Sequence, residues 1–293
     1  MHTTHQYDRP MILRIAALDE STLHRVQQAV KWTVYTLLLI NFVFYFFEDW
    51  NRAVHTLDAG STFLDRASAF ATSIDETAWF LLLFMFELET YILGDDNWKG
   101  WVAHTVRGIR LCCYVMIAHT VYAYAVTVIS LQPTVPVDNV SSLCDMVNAE
   151  VSYVSNLEYT QVSEQTCDAL STATQFYWVA EDPVVTDIEA LDLERNLAWA
   201  DLIEAVVWLL ILMVIETIVR LQARGVTGGA FISVANHVKF FLYLSLIALG
   251  VYWASLSHWL YFWDELVWIG GFAAIEMNVS QWRDELLNSQ QTA

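Results

Sequence analysis

The chain has 293 residues, 56% of them hydrophobic and only 16% charged, and the apolar residues fall in blocks. That composition excludes an ordinary soluble enzyme and fits an integral membrane protein. The net charge of −19 excludes a nucleic-acid partner, because holding phosphate requires a basic footprint.

In chain order, residues 11–26 read as a short amphipathic helix on the inner membrane surface. The apolar run there is broken by "LDESTLHR" and lacks a small-residue cleavage site, so no cleavable signal peptide is expected and the first span serves as the insertion signal. A hydrocarbon core about 30 Å thick takes about 20 mainly apolar helical residues to cross. Six stretches meet or approach that length: 28–47, 77–93, 109–131, 198–221, 237–257 and 262–279. The sixth holds Gly270 and Gly271 between Asp264, Glu265 and Glu276, which leaves a re-entrant course as its alternative. The run "VVWLLILMVI" in the fourth is apolar on every side and is expected to face lipid.

Basic residues accumulate on the cytoplasmic side of membranes. With the N-terminus inside and six spans, all of the 14 Lys and Arg except Arg52, Arg66 and Arg195 fall on that side. The layout expected is a cytoplasmic segment (1–27), three spans (28–131), an acidic extracytoplasmic domain (132–197), three more spans (198–282) and a cytoplasmic tail (283–293). Residues 132–195 carry twelve Asp and Glu against Arg195 alone, and they include Cys144 and Cys167. On this topology both cysteines face an oxidising compartment, so they are expected to form a disulfide. Cys112 and Cys113 are adjacent on one helix, point about 100° apart, and read as packing residues.

The spans carry an internal pattern. The odd-numbered ones open "VKWTVY", "IRLCCY" and "VKFFLY", with a base four residues before Tyr35, Tyr114 or Tyr243. In the even-numbered ones an acid precedes a Trp, and a Glu follows eight residues later, pairing Trp79 with Glu87, Trp208 with Glu216 and Trp268 with Glu276. The architecture expected is therefore all-α and polytopic, six transmembrane helices in three hairpins with one outer insertion. Lys31, Arg110 and Lys239 should reach the depth of Glu87, Glu216 and Glu276, as ion-pair partners between helices.

Positions eleven apart in a helix return to nearly the same face. Glu76 with Glu87, and Glu265 with Glu276, are so spaced, whereas Glu204 and Glu216 are twelve apart and diverge. Ionisable groups within spans are costly and usually face a partner or a water-filled path. Glu76, Glu87, Glu216, Glu265 and Glu276, with the mid-span His119 and Asn41, are therefore the candidate pathway residues, and the outer acids Glu48, Asp49, Asp58, Asp65, Asp75, Asp264 and Glu265 either concentrate cations at its mouth or form a solvated acidic surface. The same acids read structurally as helix-locking pairs, with Glu89 as a surface acid.

No "HExxH", "GxSxG" or Gly-rich phosphate loop is present, so neither an enzyme nor a metal or other cofactor is expected. The small-residue run "GGFAA" at 270–274 permits close approach within the chain or between protomers of a homo-oligomer. The expectation is a multi-pass protein of the bacterial inner membrane, in contact with lipid and conducting cations or protons. The alternative is a non-conducting scaffold, sensor or accessory subunit whose outer domain binds a protein partner.

Overall fold

The computed structural model describes residues 20–88, 101–224 and 228–272. The amphipathic segment before residue 20, Glu89, Glu276, the C-terminal tail, and the far ends of the second and sixth expected spans lie outside the described residues, as does the side chain of Glu87. The chain is mostly helical. Its helices are α1 (Glu20–Thr56), α2 (Phe63–Ala69), α3 (Ala71–Glu87), α4 (Trp101–Ser130), the short α5 (Cys167–Leu170), α6 (Ile188–Ala223), α7 (Ala230–Ser255) and α8, helical over 259–272.

Among the described residues, four helical stretches are long and apolar enough to cross a membrane: Gln28–Thr56, Trp101–Ser130, Ile188–Leu221 and Ala230–Ser255. Each exceeds the expected span. The 34-residue stretch Ile188–Leu221 is about 51 Å long at 1.5 Å per residue, against a hydrocarbon core of about 30 Å. Its surplus turns carry Glu189, Asp192, Glu194, Arg195 and Asp201, so the acids cluster where the helix outruns the apolar layer. The 17-residue α3 is shorter and places Asp75 and Glu76 in its opening turns.

The insertion between α4 and α6 is built around a sheet, with α5 and a 3-10 turn at Leu143–Ala149 as its short helical pieces, which corrects the all-α expectation for that part of the chain. It folds into a five-stranded sheet of order β1-β4-β5-β2-β3, built from Val135–Pro136, Ser152–Ser155, Glu158–Gln161, Tyr177–Trp178 and Val184–Thr186, numbered β1 to β5 along the chain. All pairings are antiparallel except β2 with β5. Strands this short bury little, and the sheet draws its core from elsewhere. On one side Leu143, Met146, Val151, Phe176 and Val185 pack around the Cys144–Cys167 disulfide. On the other, Val154, Val179 and Val184 pack onto Val128 and Leu131 at the end of α4 and Leu191 and Ala198 of α6.

A single side chain closes the base of this insertion. From α6, Arg195 donates through Nε to the Leu131 carbonyl at 2.8 Å and through Nη2 to the Gln132 carbonyl at 2.9 Å and Thr134 Oγ1 at 2.7 Å. The carbonyls at a helix C-terminus lack intrahelical partners, and a guanidinium there meets both them and the negative end of the helix dipole.

The chain divides into two compact units, residues 1–41 with 263–293, and residues 42–262. In the first, Asn41 Nδ2 donates to Asp264 Oδ1 at 2.6 Å, with both side chains buried at 2% and 7% exposure. A Cβ on Gly271 would approach Val34 Cγ1 to 3.1 Å, so α8 is held against α1 by a buried polar bond and a small-residue approach. In the second, α4 packs against α3 and α6, and α6 against α7. The fourth expected span is accordingly not lipid-facing all round. Val207, Trp208 and Ile211 of α6 are buried while Leu210, Met213 and Val219 are exposed.

Replacing Cys144 and Cys167 with serine opens a loop of 23 residues' separation and should lower the stability of the sheet domain by about 3 kcal/mol. Protease cleavage within residues 132–187 at temperatures where the parent resists would show it, and unaltered resistance would contradict it.

Candidate functional site

Carboxyl groups from three helices gather near one another. α1 supplies Glu48 and Asp49, α3 supplies Asp75, and α6 supplies Glu194, Asp201 and Glu204. Asp201 lies in the fields of Glu204, Glu194 and Asp49, and Asp75 in that of Glu204. Arg52, one turn beyond Asp49 on α1, is the cation felt by Asp49, Glu194, Asp201 and Asp182 alike.

Most of these acids accept a bond from a specific donor, as burial of a carboxylate requires. Asp49, at 5% exposure, accepts the Ser73 backbone N–H at 2.8 Å. The N-cap residue of α3, Phe70, offers no side-chain cap. Asp49 reaches across from α1 to do that work, and its charge opposes the positive end of the α3 dipole. Glu48 accepts from the Tyr261 hydroxyl at 3.0 Å, Asp75 from the Trp79 indole at 3.0 Å, and Glu204 from the Trp253 indole at 2.8 Å. Trp79, Trp208 and Tyr243, all members of the repeated pattern, form successive edge-to-face ring pairs at 5.7 and 6.4 Å that link α3, α6 and α7. Asp201 stands apart. It is half-buried, and among the described residues it accepts no hydrogen bond.

The β2–β3 hairpin of the sheet domain closes over this cluster. Its two turn residues, Asn156 and Leu157, both have positive φ, 55° and 63°. Two such residues give the twist of a type I′ hairpin turn, yet a branched apolar residue in this region is uncommon and costs about 1–3 kcal/mol. The tip is held in return. Asn156 Nδ2 donates to the Leu256 carbonyl at 3.1 Å, which turns its Oδ1 toward His258 Nε2 at 3.0 Å, and the Leu157 N–H donates to Glu194 at 3.0 Å. Leu157 itself packs beside Leu197, Ala200 and the fully buried Trp253. Burial pushes the His258 imidazole below its ordinary value, with Glu158 acting in the opposite sense. The imidazole stacks on Tyr261 at 5.3 Å.

Farther along the hairpin, Tyr159 stacks on His55 at 5.7 Å and an interplanar angle of 11°, and His55 Nδ1 lies 2.7 Å from Ser152 Oγ. The Tyr159 hydroxyl is pushed up by burial and pulled back by the Arg52 guanidinium that bonds it. In the β4–β5 turn, Asp182 is pushed up to about 6, first by burial, with Asp65, Asp58 and Glu181 adding to the effect and Arg52 opposing it.

The residues singled out by sequence are dispersed relative to this cluster. Glu76 is buried on α3 and Glu265 on α8, while Glu216 is half-buried and pairs with Arg220 of its own helix at 2.8 Å. Arg110 and Glu216 both bear on the Tyr114 hydroxyl, which places the two at one level of α4 and α6. The Lys31 ammonium lies 5.9 Å from the Tyr35 ring centroid, and Lys239 is half-buried on α7. Neither ring nitrogen of His119 has a hydrogen-bond partner among the described residues. Asp264 and Glu265, expected as solvated outer acids, are buried, whereas Asp58 and Asp65 are exposed. Arg52, Asp182, Glu194, Asp201 and the hairpin tip were not among the residues singled out. Among the described residues the three-donor grouping that could hold a metal is Cys144, Cys167 and Asp168, and the disulfide consumes both thiols.

No protein-family model, curated protein or solved structure matches this chain. What fold and site define is a membrane-embedded, mostly helical protein with a disulfide-closed sheet domain set over a carboxyl cluster.

Two outcomes follow from this geometry. Asp49→Ala leaves the buried Ser73 N–H without an acceptor and should cost about 1–3 kcal/mol, measured as the thermal unfolding of the detergent-solubilised protein. The Asp182 carboxyl is raised in the fold, so its ionised form opposes folding, and the penalty grows as pH rises from the ordinary carboxylate value of about 4 through about 6. Asp182→Asn should therefore unfold at a higher temperature than the parent at pH 7.5 and at nearly the same temperature at pH 3.5, below the ordinary carboxylate value. An equal difference at both pH values would refute it.

Proposed function

We propose that this protein is a membrane pathway for cations or protons, entered through the carboxyl cluster that α1, α3 and α6 build beneath the sheet domain. The observation that carries the reading is Asp201, a half-buried acid among Asp49, Glu194 and Glu204 that accepts no hydrogen bond among the described residues, with Arg52 as the cation shared by its neighbours. Carboxyls crowded at the end of apolar helices attract cations and focus field into the low-dielectric layer. Glu76 continues the line of acids on α3. The inner set Glu87, Glu216 and Glu276, together with Glu265, His119 and Asn41, belongs to the remainder of the path in this proposal. Its topology is six spans in three hairpins, with both termini in the cytoplasm and the sheet domain outside, and the location is the inner membrane of a bacterium. The support for that orientation is the distribution of Lys and Arg.

A second reading has its own observation. Glu48, Asp49, Asp75 and Glu204 each accept a bond from another residue, three of them from a different helix, and that is how acids lock a bundle without conducting. In that reading the sheet domain binds a protein partner and the molecule is a scaffold or accessory subunit.

Flux into liposomes under imposed proton, sodium and potassium gradients separates the two. Asp201→Asn removes the ionisable carboxyl and, among the described residues, no hydrogen bond, so it should leave the unfolding temperature in place while lowering flux about tenfold, the scale of electrostatic focusing. A triple Glu87, Glu216 and Glu276 to Gln variant tests the inner set in the same assay. Flux equal to the parent in Asp201→Asn would remove the cluster from the path. No flux from the parent on either side of neutral pH would favour the scaffold.

A further inference from the structure

The short helix α2, between α1 and α3, turns an apolar face outward. Its buried residue is Ala69, and the helix packs against α3 and α4. Phe63 and Leu64 lie about 120° and 140° round from Ala69 at 3.6 residues per turn, and they are 84% and 49% exposed. The exposed pair is held in place by its surroundings. Seven residues are too few to sustain a helix alone, and a capping box between Thr62 and Asp65 starts this one. The turn before it is tied by Asp58, whose Oδ1 accepts the Gly60 N–H at 2.8 Å and the Ser61 hydroxyl at 3.0 Å. The outward face continues onto α1. Phe70, which caps the end of α2, lies seven residues from Phe63 and so on nearly the same side of the helix. Its ring meets those of Phe46 at 5.9 Å and Trp50 at 6.3 Å. On α1, Phe47, Trp50 and Val54 are exposed in one stripe at helical spacing, and that stripe runs past Asp49 toward the α2 turn. Charge points the same way. Of the three bases on the sheet-domain side, Arg52 is drawn among the acids and Arg195 is clasped to the end of α4. Arg66 is exposed and forms no ion pair among the described residues; its Nε donates to the Ser61 carbonyl at 3.4 Å.

We propose that α2 is an interfacial anchor, which lays Phe63 and Leu64 into the headgroup boundary of a phospholipid leaflet and sets Arg66 on a lipid phosphate. Apolar side chains enter the edge of the acyl layer there, while a guanidinium on a flexible stem reaches the phosphates beside it. The lipid is the occupant favoured here because the same apolar surface continues down α1 along a helix long enough to cross the membrane. The anchor requires the helices to be in a membrane and requires nothing of the pathway. Its effect is to fix the height of the α1–α3 connection against the leaflet, and with it the Asp49 contact to Ser73.

The test uses the whole chain in phosphatidylcholine vesicles. In a Cys112→Ala, Cys113→Ala background with the Cys144–Cys167 disulfide kept, Phe63→Cys is labelled with a nitrobenzoxadiazole fluorophore. Glu164→Cys, exposed on the sheet domain, carries the same label as the control. The label at position 63 should emit to the blue of the control, be quenched by lipids bearing a nitroxide high on the acyl chain, and resist aqueous iodide several-fold better. Leu64→Cys should repeat that pattern, which guards against damage from losing the Phe63 ring. Adding Arg66→Glu should restore much of the iodide quenching at position 63. Iodide quenching as strong at positions 63 and 64 as at 164 would overturn the anchor. Shielding from iodide without any nitroxide quenching would overturn it too, in favour of a protein partner or a second copy of the chain. Quenching left unchanged by Arg66→Glu would take Arg66 off the phosphate.

Discussion

A carboxylate taken out of water needs donors or a counter-charge, and this protein takes several out together. Asp49, Glu76 and Glu194 are all buried near the ends of apolar helices, where the effective dielectric strengthens both attraction and repulsion. The fold's most specific contacts answer that need. Indole N–H groups of Trp79 and Trp253, the phenol of Tyr261, and backbone N–H groups of Ser73 and Leu157 each serve one acid. Four of those five contacts join separate segments of the chain, so satisfying the acids and assembling the bundle are one process.

The sheet domain belongs to the same solution. Its hairpin carries a donor to Glu194 and a phenol to Arg52, and its apolar back packs on the ends of α4 and α6. Removing the domain would strip donors from the cluster as well as expose Val128 and Leu131. The strained turn at Asn156 and Leu157 is consistent with this. A backbone conformation of that kind persists where surrounding contacts over-determine it, and here His258, Leu256 and Glu194 do so.

Much of the membrane part was legible in the sequence because hydrocarbon length imposes itself on residue patterns. The positions of the apolar helices followed from blocks of hydrophobicity, and the Cys144–Cys167 disulfide from the compartment and the cysteine count. Helix ends were not legible: α1 continues to Thr56 and α6 begins at Ile188, since polar residues past the hydrocarbon edge extend a helix without any apolar signal. The sheet was missed because strands of two to four residues offer too little alternation to read. The cluster was missed for a related reason. Asp49 with Arg52, and Asp201 with Glu204, each sit one helical turn apart at the edge of an apolar block, the place where solvated charges are ordinary. The hairpin that reaches Arg52 and Glu194 touches α1 across 97 residues of sequence, which no local pattern announces.

The Arg195 clasp has a consequence of another kind. By gripping Leu131, Gln132 and Thr134 from α6, it brings the entry and exit of the insertion together at one point. A segment whose ends meet is topologically a module grafted into a helix-to-helix connection. The clasp joins α6 to the four residues that follow α4, all of them ahead of β1, so it would tie α4 to α6 whatever sheet stood between them. The sheet domain can therefore be exchanged or elaborated by evolution as a unit without redrawing the path of the chain through the helices beneath.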